Sequence, residues 1–290
     1  MSPAVATLIG FTAIILWSLL AALTAAAGQI PAFQMNAMCF GIGAGAAMLL
    51  WVRQPDRARA LRQPIHVWAH GIAGLFGYHA LYFAALRLAP PAEASLVNYL
   101  WPLLIVLFSS LLPGERLRAF HIAGALIGFA GVATLSFNAD LSARPEHALG
   151  YALAFAAALF WSAYSVLSRR MSNVPTDAVV GFCAATAVLS LACHLIFETT
   201  VWPASIGAWS AIVALGLGPV GAAFYAWDIG CKRGDIRLLG VSAYAAPVLS
   251  TLALVASGFA QPSLALWLAC GLIVLGAIVA SSDRVFARRR

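Results

Sequence analysis

The sequence predicts an all-α integral membrane protein: ten transmembrane helices arranged as two inverted five-helix repeats, residues 1–145 and 146–290. Three observations predict it. Of 290 residues, 62% are hydrophobic and 9% charged, against roughly 45–50% and about 25% in a soluble domain. Such a chain cannot cover a globular surface with polar groups, so lipid has to be its solvent. The apolar residues run on for about 20 positions at a time, the length a helix needs to cross the hydrocarbon, without the alternating segments of a membrane barrel. Finally, anchors in the first half of the chain return in the second at a nearly constant offset.

The spans follow in order. The run 4–27 ends in Ala25-Ala26-Ala27, which resembles a signal-peptidase site. No positive segment precedes it and it has a mid-chain counterpart, so it is read as the first span. Gly28 and Pro31 separate it from 32–52, and Pro64 precedes 66–88. Pro90-Pro91 opens 92–112, which Pro113-Gly114 closes, and a glycine-rich run fills 119–137. The second half continues with 148–170, then 177–199 after Pro175, 205–230 after Pro203, 237–258, and 263–283 after Gln261-Pro262.

Basic residues distribute unevenly over this segmentation. With both termini on one side, that side holds Arg53, Arg57, Arg59, Arg62, Arg116, Arg118, Arg169, Arg170, Lys232, Arg233, Arg237 and the tail arginines Arg284, Arg288, Arg289 and Arg290. Arg87 and Arg144 complete the 17 on the other. The positive-inside rule then makes both termini cytoplasmic. It also accounts for the net charge of +7 without a nucleic-acid partner. Cys39, Cys183, Cys193, Cys231 and Cys270 form no CxxC and no metal-ligand spacing, so they read as small buried hydrophobes.

The repeat is carried by three anchors. Trp17-Ser18 returns as Trp161-Ser162, 144 residues later; Tyr99 and Pro102 return as Tyr244 and Pro247, 145 later; Gly131 returns as Gly276. Five spans per half force the second half to enter the membrane from the opposite side, an arrangement common in secondary transporters.

At these residues the chain resembles the drug/metabolite transporter superfamily, EamA type: the Trp-Ser pairs of spans 1 and 6, and the segment from Pro102 to Glu115-Arg116 leading into span 5. The resemblance covers essentially the whole chain. Asn98-Tyr99-Leu100-Trp101-Pro102 is most similar to the branch of YddG-type aromatic amino acid exporters. The second half departs from this pattern, since Ala243-Tyr244 lacks the Asn and Trp, and no Glu follows span 9. The resemblance implies a secondary or facilitated transporter that exports small amphipathic metabolites, aromatic amino acids first, by alternating access.

Candidate substrate-binding residues gather in corresponding spans. Span 3 carries Tyr78, His79 and Tyr82, with the tyrosines four apart on one helix face. Span 4 carries Asn98, Tyr99 and Trp101; span 8 carries Phe224 and Trp227; span 9 carries Tyr244. Trp17 and Trp161 lie near mid-depth. Trp51, Trp202, Trp209 and Trp267 suit an interfacial belt, whereas Trp17, Trp101 and Trp161 lie too deep for one. A cavity lining and plain helix packing both accommodate that deeper set. Spans 3 and 4 are expected to line the outer half of a path, and spans 8 and 9 the inner half.

His79 is either a neutral ring held by one hydrogen bond or a substrate contact, an intramembrane titratable group being costly without a role. Asp228 and Lys232, four apart, are expected to pair, and Arg87 and Glu93 to anchor the turn between spans 3 and 4. Pro102 and Pro247 are expected to be gating hinges, each freeing the carbonyl four residues earlier, at Asn98 and Ala243. Gly41/Gly45 and Gly124/Gly128 have the spacing of close helix packing.

No Walker-type loop is present for ATP, and no acid/base or metal cluster for an enzyme. No cofactor, metal or catalytic residue is assigned. The expected partners are a small-molecule substrate and the bilayer, with the monomer as the working unit and a dimer as the alternative. Other metabolites or drugs of the superfamily, a membrane enzyme and a non-transporting scaffold remain the alternatives.

Overall fold

A computed structural model describes residues 1–113, 117–135, 145–256 and 263–280. Glu115, Arg116, Arg144, Gln261-Pro262, the tail arginines and the span ends predicted at 136–137, 257–258 and 281–283 lie outside the described residues.

Among the described residues the architecture is all-helical. Six helices are long and apolar enough to cross a membrane: α1 (Pro3–Ala27), α2 (Ala32–Trp51), α6 (Ala148–Arg170), α7 (Ala178–Phe197), α8 (Ile206–Arg233), and α9, of which Ile236–Ala253 qualifies. Shorter apolar helices are α5 (Ala119–Leu135) and α10 (Leu264–Ala280). The remaining two segments are helical in pieces. Segment α3 consists of Ile65–Ile72, a π-helical turn Ala73–Gly77, and Tyr78–Leu88. Segment α4 consists of Pro91–Asn98 and Trp101–Ser109.

The interruptions fall at matching places. The π-turn of α3 corresponds to Gly216–Ala222 in α8, which encloses Pro219. The break at Tyr99-Leu100 in α4 corresponds to that at Ala243-Tyr244 in α9. Each break stands just upstream of a proline, Pro102 or Pro247, whose missing N–H cannot continue the ladder. One expectation needs correcting: the Ala243 carbonyl is not freed, because the Ala246 N–H donates to it at 3.0 Å. The chain shortens its turn there to three residues and so reuses the acceptor.

The helix contacts include α1 with α8, α3 with α6, α2 with α7, α4 with α9 and α5 with α10. An offset of about 145 exchanges the first two pairs and returns each of the others to itself. Individual contacts obey it as well. A Cβ on Gly124 would stand 2.5 Å from the Gly276 carbonyl, and one on Gly131 would stand 3.1 Å from that of Ala269. Helices that meet this closely tolerate no side chain at the crossing. Gly276→Val is therefore expected to destabilise the fold by about 1–3 kcal/mol, read as a lower melting temperature in detergent; unchanged melting would contradict the close α5–α10 crossing. Gly41 and Gly45 differ from expectation. A Cβ on Gly45 would meet nothing within 4 Å and one on Gly41 only Ala187 at 3.9 Å, because both lie on the exposed side of α2.

The two ends of the bundle differ in charge. At the end bearing Ser2, Asp235 N–H donates to Thr7 Oγ1 at 2.9 Å, bringing the α8 terminus beside the start of α1. Arg170 caps the Leu111 carbonyl at 2.5 Å, Arg57 pairs with Asp177 at 3.5 Å, and Arg169 reaches the Gly234 carbonyl. At the end bearing Ala27, the Glu198 carboxylate is nearly inaccessible. It accepts from the Phe33 and Gln34 N–H groups, both at 3.1 Å, and from Arg87 at 3.0 Å, and stands 3.1 Å from His194 Nδ1. A carboxylate over the first turn of α2 is favoured by the helix dipole and by orphan N–H groups. Arg87 thus ties α3 to the segment after α7. Glu93, buried, accepts from Tyr151 instead.

Candidate functional site

A cavity of about 510 Å³ lies among α1, α2, α3, α4, α6, α8 and α9. Its floor is aromatic. Trp17 stands 5.7 Å from Trp161, 6.5 Å from Trp101 and 5.1 Å from Trp227, ring centre to ring centre, and Trp161 lies 5.6 Å from Phe224. These separations suit edge-to-face and offset contacts between rings. The π-turn of α8 contributes to this arrangement, since the Pro219 carbonyl accepts from Trp17 Nε1 at 3.0 Å and fixes that indole.

One wall comes from α3 and α4. Tyr78 and Tyr82 stack at 6.0 Å with planes 14° apart, as their spacing predicts. Asn98 Nδ2 donates to the Tyr78 hydroxyl at 3.2 Å, and the Tyr82 hydroxyl pairs with Ser95 Oγ at 2.8 Å. His79 Nδ1 lies 2.7 Å from the Leu75 carbonyl. That carbonyl can only accept, so Nδ1 carries the proton and Nε2 of the neutral ring is an acceptor. Asn98 is buried, and its Oδ1 has no hydrogen-bond partner among the described residues. A buried acceptor without a donor is costly unless something else supplies one.

The structure thus brings together Trp17, Tyr78, His79, Tyr82, Asn98, Tyr99, Trp101, Trp161 and Phe224 around one cavity, with Pro247 at its edge. Trp227 and Tyr244 do not line it. Both are 0% exposed. Trp227 lies beneath the floor and donates from Nε1 to Ser165 Oγ at 3.0 Å. Tyr244 packs against Phe129 and Gly128, and its hydroxyl accepts the Leu103 N–H at 3.1 Å, bridging the two broken helices α4 and α9. Pro102 is buried in packing and is not a lining residue. The expected division of the path, with α8 and α9 lining an inner half, is corrected too. Their lining residues share the α3–α4 cavity, and the stretch towards the Ser2 end is filled. Tyr164 and the Asp228–Lys232 pair, 2.8 Å apart, occupy it.

Residues of α1 and α2 were missed as a wall: Thr24, Met35 and Asn36 line the cavity, as does Ser250 of α9. Asn36, a carboxamide inside an apolar run, was a usable signal. Its Nδ2 donates to Ser190 Oγ at 2.7 Å, which leaves its oxygen for other partners. A second cavity, about 540 Å³, lies between α2, α7 and the π-turn of α8 near Arg53, Arg57 and Asp177; it holds none of the aromatic set.

An all-helical bundle, long apolar spans and a mid-bundle cavity walled by rings define a multi-pass membrane transporter. The sequence pattern of the EamA-like transporter family matches residues 4–137 and again 148–282, and the chain belongs to that family. It is 58% identical to the aromatic amino acid exporter YddG of Ancylobacter novellus, with 100% of each chain covered. It is 28% identical to the exporter of the same name from Salmonella typhimurium, over 94% of this chain and 96% of that one. A solved crystal structure at 58% identity superposes with a TM-score of 0.92 over 100% of both chains.

Proposed function

We propose that this protein exports aromatic amino acids across the bacterial inner membrane by alternating access, with the aromatic cavity as the substrate site. The observation that carries the proposal is a cavity walled by stacked and edge-on rings beside an unsatisfied buried acceptor, Asn98 Oδ1. Rings hold the flat side chain, and the acceptor takes an ammonium hydrogen. The 58% identity to an exporter of aromatic amino acids over the full length supports the same substrate class and direction.

The proposed architecture is ten spans in two inverted halves, 1–145 and 146–290, working as a monomer with both termini cytoplasmic. The repeated family match, the exchanged helix pairs and the basic residues at the Ser2 end support it. In that orientation the cavity belongs to the outer half and the filled stretch is the closed inner side. Trp227 and Tyr244 are the repeat counterparts of Tyr82 and Tyr99. In the inward-open state they are expected to take over cavity exposure, with the breaks before Pro102 and Pro247 as bending points.

Exchange of labelled phenylalanine in proteoliposomes, with and without a proton gradient, tests the proposal. Saturable flux above protein-free liposomes is expected; its absence for phenylalanine, tyrosine and tryptophan alike would refute it. Asn98→Leu is expected to lower that flux by about tenfold, the loss of one charge-assisted hydrogen bond, while the protein still inserts. Unchanged flux would remove Asn98 from the site.

A further inference from the structure

We propose that the cavity reads the ammonium end of its substrate and gives the carboxylate no cationic partner, so that aromatic amines and aromatic amino acid amides are also carried. This rests on the cavity being the transport site.

The polar side chains of the cavity offer several acceptors, and its donors, which include the Trp101 and Trp161 indoles and the Thr24, Tyr99 and Ser250 hydroxyls, are all neutral. Asn98 uses its NH₂ on Tyr78, which leaves Oδ1 unpartnered and buried at 4% exposure. His79 commits its N–H to Leu75, leaving the Nε2 lone pair. Asn36 uses its NH₂ on Ser190 and keeps an amide oxygen. The Trp17 indole N–H, a donor that could have met a carboxylate, is taken by the Pro219 carbonyl. Among the described lining residues there is no Lys or Arg, and no Asp or Glu. A carboxylate entering this cavity would find no cation, and an ionised group taken from water without one is penalised. An ammonium meets three acceptors and the negative faces of the surrounding rings, which attract cations and repel anions. The substrate's ring is bound by the same walls whichever polar end it carries. The group that distinguishes substrates is therefore the nitrogen.

The test is exchange by the full chain in liposomes, against protein-free liposomes. Vesicles are preloaded with phenylalanine, 2-phenylethylamine, phenylalanine amide or 3-phenylpropionate, and uptake of labelled phenylalanine is followed; labelled 2-phenylethylamine is run in parallel. The amine and the amide are expected to drive exchange within about threefold of phenylalanine, and the acid at less than about a tenth of it, the equivalent of one charged hydrogen bond. Exchange by the acid equal to that by the amine, or by neither analogue, overturns the inference. Exchange by the acid alone overturns it too, and means that Asn98 presents its NH₂ to a carboxylate. If the amine exchanges and phenylalanine does not, the ammonium site stands and the amino acid function falls. If nothing exchanges, both fall. Asn98→Asp sharpens the result, since a carboxylate side chain accepts and cannot donate. It is expected to raise the ratio of amine to phenylalanine exchange, and a fall in that ratio counts against the inference.

Discussion

Asp228→Leu is expected to destabilise this protein by about 3–5 kcal/mol, the usual consequence of leaving one partner of a buried ion pair alone. Lys232 Nζ lies 2.8 Å from Asp228 Oδ2, and the two side chains are 5% and 2% exposed. The approach has the distance of a buried ion pair. Lys232 also donates to the Val174 carbonyl at 2.9 Å, which joins α8 to the turn before α7. Without Asp228 the ammonium keeps that one acceptor and loses its counter-charge. The double variant Asp228→Leu/Lys232→Met removes both charges and is expected to recover most of the loss, since apolar replacements of a buried pair are often neutral. Thermal melting in detergent, read by size exclusion, measures all three proteins. A double variant as unstable as the single one would mean that packing, and not the unpaired charge, sets the cost.

Trp161→Ala is expected to lower phenylalanine exchange by about 30-fold, roughly 2 kcal/mol, as one indole face and its stacking contact are removed from the site. Trp161 stands 5.5 Å from Tyr78, 5.7 Å from Trp17, 5.3 Å from Tyr164 and 6.2 Å from Trp227. It therefore lies at the cavity surface and forms the layer between the cavity and the buried Tyr164 and Trp227. Trp161→Phe keeps a ring at that place and is expected to stay within about threefold of the unaltered protein. Equal exchange by the alanine and phenylalanine variants would show that the floor does not touch substrate.

Much of the site was legible because its residues carry local signals. Trp17 and Trp161 share a repeated Trp-Ser pair, Tyr78 and Tyr82 share a helix face, and Asn98 stands in an otherwise apolar run. Trp227 and Tyr244 were placed in the site by the repeat of anchors between the two halves. The repeat equates Trp227 with Tyr82 and Tyr244 with Tyr99, but only one member of each pair lines the aromatic cavity. Symmetric positions then have opposite environments, with Tyr82 and Tyr99 lining the cavity while Trp227 and Tyr244 are wholly buried.

The sequence by itself determined the helical class, the positions of the apolar helices, the prolines at the breaks and most of the aromatic set, because these depend on composition and spacing along the chain. Tertiary structure alone decided that α1 and α2 form a wall, that Gly124 and not Gly41 lies at a close crossing, and which of the repeat counterparts line the cavity. The physical reason is the solvent. A helix in water shows its buried side by a polar stripe opposite; in lipid both the packed and the outer side are apolar, so rotation about the helix axis leaves little trace in hydropathy. The tautomer of His79 and the free oxygen of Asn98 are likewise beyond composition. They depend on Leu75, one turn back along α3, and on Tyr78, which α3 sets opposite α4.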